Sequence, residues 1–188
     1  MAGKLRIIGG KWRSRLLPVV DLPGLRPTTD RVRETVFNWL QSDVGGAHCL
    51  DVFAGSGALS FEAASRGAAS VTLLENQKKA SQVLAENIKI LNAENMQLLH
   101  CDAINWLNLT PPKKFDIVFI DPPFASDYLP QVCKQLETSH FLSEHACIYL
   151  EMDSRDTLPE LPANWHLVKQ KKAGQVGYYL VRRNDNEA

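Results

Sequence analysis

The chain has no apolar run long enough to cross a bilayer. Each such run is broken within a few residues by charge, Gly or Pro, whereas a spanning helix needs about 20 apolar residues. The first thirteen residues, MAGKLRIIGGKWR, contain no secretion-signal core, so a cytoplasmic location is expected. Internal repeats and low-complexity segments are absent, which excludes solenoid, collagen and coiled-coil architectures. Cysteine is scarce. Cys49, Cys101, Cys133 and Cys147 are far apart and form no CxxC, so neither a zinc ribbon nor a redox pair is indicated; buried free thiols and no metal site are expected. Net charge is also missing, with 21 Lys and Arg against 21 Asp and Glu. What remains is ordinary for a globular protein: 188 residues, 45% hydrophobic and 22% charged, enough for one domain with a real core and a small appendage.

The balanced charge is unevenly placed. Residues 1–33 carry eight basic side chains (Lys4, Arg6, Lys11, Arg13, Arg15, Arg26, Arg31 and Arg33) against only Asp21 and Asp30. Either a solvated basic face or an arm for a polyanion accounts for this. Arginine suits bidentate phosphate contact, and Trp12 in the same stretch could stack on a base.

Residues 4–20 read as a hairpin, with Gly9-Gly10 as its tight turn and residues 11–17 as its second strand. Residues 21–27, with two prolines and Gly24, form a linker. Thr29 or Asp30 then caps a helix to about residue 41, with Val32, Val36, Phe37 and Leu40 along one side. Beyond residue 47 strands and helices alternate. Strands are expected at 48–53, 70–75, 96–100, 115–120 and 146–152, helices at 57–66, 78–91, 102–107 and 128–136, and a closing antiparallel hairpin at 165–170 and 177–182. Nearly continuous apolar strands alternating with helices mean an α/β fold: a mostly parallel sheet with helices on both faces. Its ligand belongs beyond the carboxyl ends of the strands.

Four strand ends carry chemistry. The first is Asp51-Val52-Phe53-Ala54-Gly55-Ser56-Gly57, a glycine turn that a ligand can approach closely. The dinucleotide fingerprint requires a third Gly where this chain has Ser60, so a pyrophosphate fits poorly; Asp51 suits an ammonium or hydroxyl donors. Glu75 ends the second strand and could accept both ribose hydroxyls, or be a plain surface acid. Asp102-Ala103 ends the third, where Asp102 could accept from an adenine amine, cap the next helix, or do both. Asp121-Pro122-Pro123-Phe124 ends the fourth. Its prolines stiffen the loop and remove two N–H donors. Asp121 and a proline carbonyl can accept both hydrogens of a planar amine, with Phe124 stacked on the ring that bears it.

In this order the motifs resemble the class I S-adenosylmethionine-dependent methyltransferases that modify exocyclic amines. Residues 6–13 (RIIGGKWR) and 26–35 (RPTTDRVRET) sharpen the resemblance to the bacterial 16S rRNA guanine-N2 methyltransferases of the RsmD type. The resemblance covers nearly the whole chain, though the tail after Leu158 carries little of it. It implies a Rossmann-like, seven-stranded sheet whose last strand is antiparallel, preceded by a small N-terminal hairpin extension. Residues 1–28 would be the basic hairpin and linker, and 29–188 the methyltransferase domain.

The resemblance further implies methyl transfer from S-adenosylmethionine to N2 of one guanine, number 966 of the rRNA, in the small (30S) subunit or its assembly intermediate. A monomer with no membrane partner is expected. Asp51, Phe53, Ala54, Gly55, Ser56 and Gly57 would hold the methionine end of the cofactor, Glu75 the ribose, and Asp102 with Ala103 the adenine. Thr28 and Thr29 precede a helix that would cover the cofactor, and Asp121 also faces it. Asp121, Pro122, Pro123 and Phe124 would be catalytic. Arg6, Lys11, Trp12, Arg13, Arg15, Arg26, Arg31 and Arg33 would bind rRNA, with Lys169, Lys171 and Lys172 as an extension. A DNA adenine-N6 methyltransferase would share the tetrapeptide but usually carries a separate recognition domain. A protein glutamine methyltransferase usually has Asn in place of Asp121 and Tyr in place of Phe124. Ser60 and the proline loop disfavour a nicotinamide oxidoreductase, and four intact strand-end motifs disfavour a silent RNA-binding module.

Overall fold

Strands that are apolar on both faces need cover on both sides. The computed structural model, which describes residues 3–20, 29–123 and 128–184, shows how that cover is built. Strands β1 (Gly3–Arg6) and β2 (Leu16–Val19) form an antiparallel pair. They are followed by α1 (Asp30–Trp39), β3 (His48–Asp51), α2 (Ala58–Ser65), β4 (Ser70–Glu75), α3 (Lys78–Leu91) and β5 (Met96–His100). Then come α4 (Ala103–Trp106), β6 (Phe115–Ile120), α5 (Tyr128–Thr138), β7 (Leu142–Asp153), β8 (Trp165–Ala173) and β9 (Val176–Arg183). Seven strands make one sheet in the order β5-β4-β3-β6-β7-β9-β8. Strands β5 to β7 run parallel, and β9 enters antiparallel between β7 and β8. This is the Rossmann-like class I arrangement, with the last strand reversed as expected.

Side chains alternate across the sheet. Cys49, Val71, Ile117 and Tyr149 face one core with the N-terminal hairpin and α1 to α3. Leu50, Leu74, Val118 and Ile148 face a second core with α4 and α5. The Thr29 hydroxyl caps α1 by accepting from the Val32 N–H at 3.4 Å. All four cysteines are free, and all but the half-buried Cys101 are buried.

Helix α2 is buried along its whole length, as a helix apolar on all sides requires. The sheet covers one side and the N-terminal hairpin the other. Each polar residue of α2 has a partner outside the helix. Ser60 Oγ donates to Asp51 Oδ2 at 2.6 Å, Ser65 Oγ donates to the Gly9 carbonyl at 2.6 Å, and the Glu62 carboxylate accepts from the Ile8 and Gly9 N–H groups at 2.9 and 2.8 Å.

This docking corrects the reading of the hairpin. Gly9-Gly10 is not a two-residue turn, and β2 does not start at Lys11. Instead Gly10–Trp12 form a 3₁₀ turn, and the strand begins at Leu16. The glycines are needed for close approach. A Cβ on Gly9 would lie 2.6 Å from the Arg66 guanidinium, and one on Gly10, whose φ is +75°, would overlap the Ser65 carbonyl. Strand β7 also starts earlier than its apolar run, at Leu142.

Gly10→Ala and Gly46→Ala separate the two effects. Gly46 has a φ of +78° but open space around it, so alanine should cost only about 1–2 kcal/mol. Gly10→Ala should cost about 1–3 kcal/mol more for the overlap. Urea unfolding of both variants checks the difference.

Candidate functional site

A cavity of about 750 Å³ opens at the carboxyl ends of the parallel strands, within the usual size range for a small-molecule site. The strand-end loops place Asp51, Phe53, Ala54, Gly55, Ser56, Glu75, Asp102, Ala103, Asp121, Pro122 and Pro123 on its wall. Thr29 and Val32 close it from α1, and Ala173, Gln175 and Val176 from the β8–β9 turn. Gly57 is not in the lining. It takes a φ of +75° to start α2, and a Cβ there would meet Phe61 and Leu84 at 2.6 and 2.7 Å. Arg26, Thr28 and Phe124 lie outside the described residues.

Asp51 is 2% exposed. Its Oδ2 accepts from Ser60, while Oδ1 is buried with no hydrogen-bond partner. Burial pushes its carboxyl up to about 7; the Ser60 hydroxyl and the Phe53 backbone N–H oppose this, and the charges of Glu75 and Glu151 add to it. A buried acceptor left unpaired is costly, and a positively charged donor relieves it best. Ser60, which stands where the dinucleotide fingerprint needs Gly, is thus the residue that orients Asp51.

Glu75 accepts from the Gly55 N–H at 2.8 Å and the Gln77 N–H at 2.7 Å, tying the glycine loop to the end of β4. A carboxylate accepts about four hydrogen bonds, so Glu75 can also receive hydroxyls. Asp102 caps α4, with Oδ1 accepting from the Asn105 N–H at 2.8 Å. Phe53 stacks on Tyr128 with ring centroids 6.0 Å apart. Asp121 is half-buried. Burial, then the charges of Glu151 and Asp51, hold its carboxyl well above the usual range.

Glu151 was not singled out by sequence, although it lines the cavity and is 3% exposed. The strand-end rule misses it because β7 continues past it to Asp153.

Two residues expected to face RNA are structural. The Trp12 ring is buried, the Trp12 backbone N–H donates to Ser65 Oγ at 3.0 Å, and Lys11 Nζ lies 4.4 Å from the ring centroid. Arg33 is wholly buried. Its Nη2 donates to the Arg6 carbonyl at 2.7 Å and Asp30 Oδ1 at 2.6 Å, and its Nη1 lies 3.7 Å from Glu62 Oε2. Composition alone cannot tell an arginine that anchors a core from one that waits for phosphate. Arg6, Lys11, Arg13, Arg15 and Arg31 remain exposed.

A family model described as "Conserved hypothetical protein 95" matches residues 5–182. The ribosomal RNA small subunit methyltransferase D of Escherichia coli K12 is 50% identical, over 97% of this chain and 91% of the relative. The protein of the same name from Haemophilus influenzae is 42% identical, over 96% of this chain and 94% of its own length. The solved structure of the Escherichia coli protein yhhF is 46% identical with a TM-score of 0.91, covering 97% of this chain and 99% of that one.

Arg33→Ala should lower the unfolding free energy by about 3–5 kcal/mol, because it removes one partner of the buried Arg33–Glu62 pair and the donor to the Arg6 carbonyl. Arg13→Ala on the exposed turn should stay within about 0.5 kcal/mol of the parent. Denaturant titration of the two variants tells an anchor from a surface charge.

Proposed function

The chain belongs to the ribosomal RNA small subunit methyltransferase D family, and on that premise we propose that it transfers a methyl group from S-adenosylmethionine to the exocyclic N2 amine of one guanine in 16S rRNA. The substrate is the small subunit or its assembly intermediate, met in the cytoplasm by a monomer. One observation carries this reading. A buried, unpartnered carboxylate oxygen on Asp51 and the Asp121-Pro122 acceptor pair line the same cavity from neighbouring strands.

The unpaired Asp51 oxygen fits the amino-acid end of S-adenosylmethionine. The Phe53–Ser56 loop would sit against that end, Glu75 would accept the ribose hydroxyls, and Asp102 with the Ala103 N–H would meet the adenine. Bound there, the cofactor supplies a methyl on a positively charged sulfur, electrophilic without further activation. The chain's own residues then have to prepare the amine. A guanine amine is a poor nucleophile because its lone pair is drawn into the ring. Asp121 and the Pro122 carbonyl, by accepting its two hydrogens, would turn that lone pair out of the ring and towards the methyl. This is catalysis by positioning and electrostatics. The proton leaves readily once the nitrogen is methylated, so no separate base is needed.

The arm, residues 1–28, would grip the rRNA backbone through Arg6, Lys11, Arg13, Arg15 and Arg26, joined by Arg31 on α1 and by Lys169, Lys171 and Lys172 on β8. Residues 29–188 would perform the transfer.

The deciding assay supplies methyl-labelled S-adenosylmethionine and unmodified small subunits, with naked 16S rRNA, DNA and bulk protein in parallel. Label should be recovered as N2-methylguanosine from the subunit. N6-methyladenine or methylated protein would overturn the substrate. In the same assay Asp121→Ala should lose at least about 100-fold in turnover while keeping most of its cofactor affinity, and near-normal turnover would remove Asp121 from the mechanism.

Cofactor affinity should also depend on pH. The Asp51 carboxyl titrates at about 7 in the empty cleft, and only its charged form attracts the ammonium. Affinity should therefore weaken as pH falls below about 7, with proton release on binding near neutrality. Calorimetry from about pH 6 to about pH 8 checks this, and Asp51→Asn should flatten the profile.

A further inference from the structure

The acids at the cavity follow the order of the strands. Across β5-β4-β3-β6-β7 stand Asp102, Glu75, Asp51, Asp121 and Glu151, all in the lining. The first three occupy the cofactor half of the cleft in the reading above. Glu151 lies at the other end, beyond Asp121. Register places it there, since Ile120 pairs with Leu150 in the parallel β6–β7 ladder, and the next residues are Asp121 and Glu151. Adjacent strands lie about 4.8 Å apart, so the two carboxylates are neighbours, and Glu151 is about two strand spacings from Asp51.

Glu151 is also held in place. The Tyr149 hydroxyl, on the same face of β7, donates to its Oε1 at 2.6 Å. Burial, with the charge of Glu151 added, pushes that hydroxyl well above its ordinary range, so it stays a donor. A carboxylate can accept about four hydrogen bonds, and the tyrosine fixes the orientation of this one. Two neighbouring carboxylates repel each other unless donors are set across them. Guanine offers such an edge, because its N1–H and N2 amine are donors side by side. Adenine offers an amine beside N1, which is an acceptor and would meet carboxylate oxygen.

We propose that Glu151 is the residue that reads the base, accepting the N1–H of guanine while Asp121 and the Pro122 carbonyl accept the amine hydrogens. This rests on the guanine-N2 reading and adds a reason for it. The tetrapeptide accepts any planar amine, and the acid one strand over rejects those flanked by an acceptor. Glu151 is thereby a specificity determinant that touches the substrate base and leaves the cofactor alone.

The test uses small subunits rebuilt with semisynthetic 16S rRNA carrying either guanine or 2-aminopurine at the methylated position. 2-Aminopurine keeps the amine but has no N1–H. The wild-type protein should methylate guanine about 10- to 100-fold faster in kcat/KM, the range for one hydrogen bond to a charged group. Glu151→Gln should slow guanine methylation and bring the two substrates towards equal rates, with the KM for S-adenosylmethionine not raised. A purely structural role would slow both substrates alike and keep their ratio, which would overturn the inference. A raised cofactor KM with the ratio intact would overturn it too. The wild-type ratio needs no variant to fold, and a ratio near one sinks the inference alone while leaving guanine methylation standing. No label on guanine in the wild type sinks the guanine-N2 reading and this inference together.

Discussion

One buried carboxylate organises the N-terminal half of the molecule. Glu62 is wholly buried in α2, and it accepts from the Ile8 and Gly9 N–H groups of the hairpin and from Arg66 Nε at 2.7 Å while facing Arg33 of α1. A charge so deep is tolerated only when paired and hydrogen-bonded. The hairpin therefore cannot lift off without stranding Glu62, and α1 cannot shift without stranding Arg33. Thr29 and Val32 of that same α1 form part of the cavity wall. Glu62 thus connects the basic arm to the edge of the site although it touches no ligand.

Most of the sheet was legible because its signals are local. The runs at Ser70–Glu75, Met96–His100 and Phe115–Ile120 are bounded by turn residues, and the strands match them end to end. The strand-end rule then leads straight to Asp51, Glu75, Asp102 and Asp121. It fails at Glu151, because β7 pairs with β9 as far as Asp153 and carries the ladder past that residue. The hairpin was misread for a different reason. Gly9 and Gly10 look like a turn in sequence, but the small size of Gly10 is required by the backbone of a helix more than fifty residues away. Arg33 and Trp12 were misassigned on the same ground. Their partners Glu62 and Ser65 lie in α2, and nothing local to the arm shows that the arm is what covers that helix.

The cleft itself sets acids side by side along one rim. Ser60 donates to Asp51, two backbone N–H groups to Glu75, and Tyr149 to Glu151. Burial and mutual repulsion leave Asp51 and Asp121 hard to ionise in the empty protein. Such a pocket favours a ligand that brings positive charge or a row of donors, and it holds a neutral one less well. On the proposed reading, selectivity is a property of the whole row of strand ends, spread over five strands. It follows from the parallel topology, which aligns those ends on one rim.

The cover over α2 has a consequence for how the chain is made. The hairpin's anchoring contact, from Ile8 to Glu62, spans 54 residues. At ribosomal speeds of about 5–20 residues per second, the hairpin is translated about 3 to 11 s before the helix it must grip. During that interval Leu5, Ile7 and Leu17, all buried in the finished fold, have nothing to pack against, and an isolated two-stranded hairpin is barely stable in water. The segment made first is therefore among the last to settle, and the basic arm gains its orientation only when α2 closes beneath it.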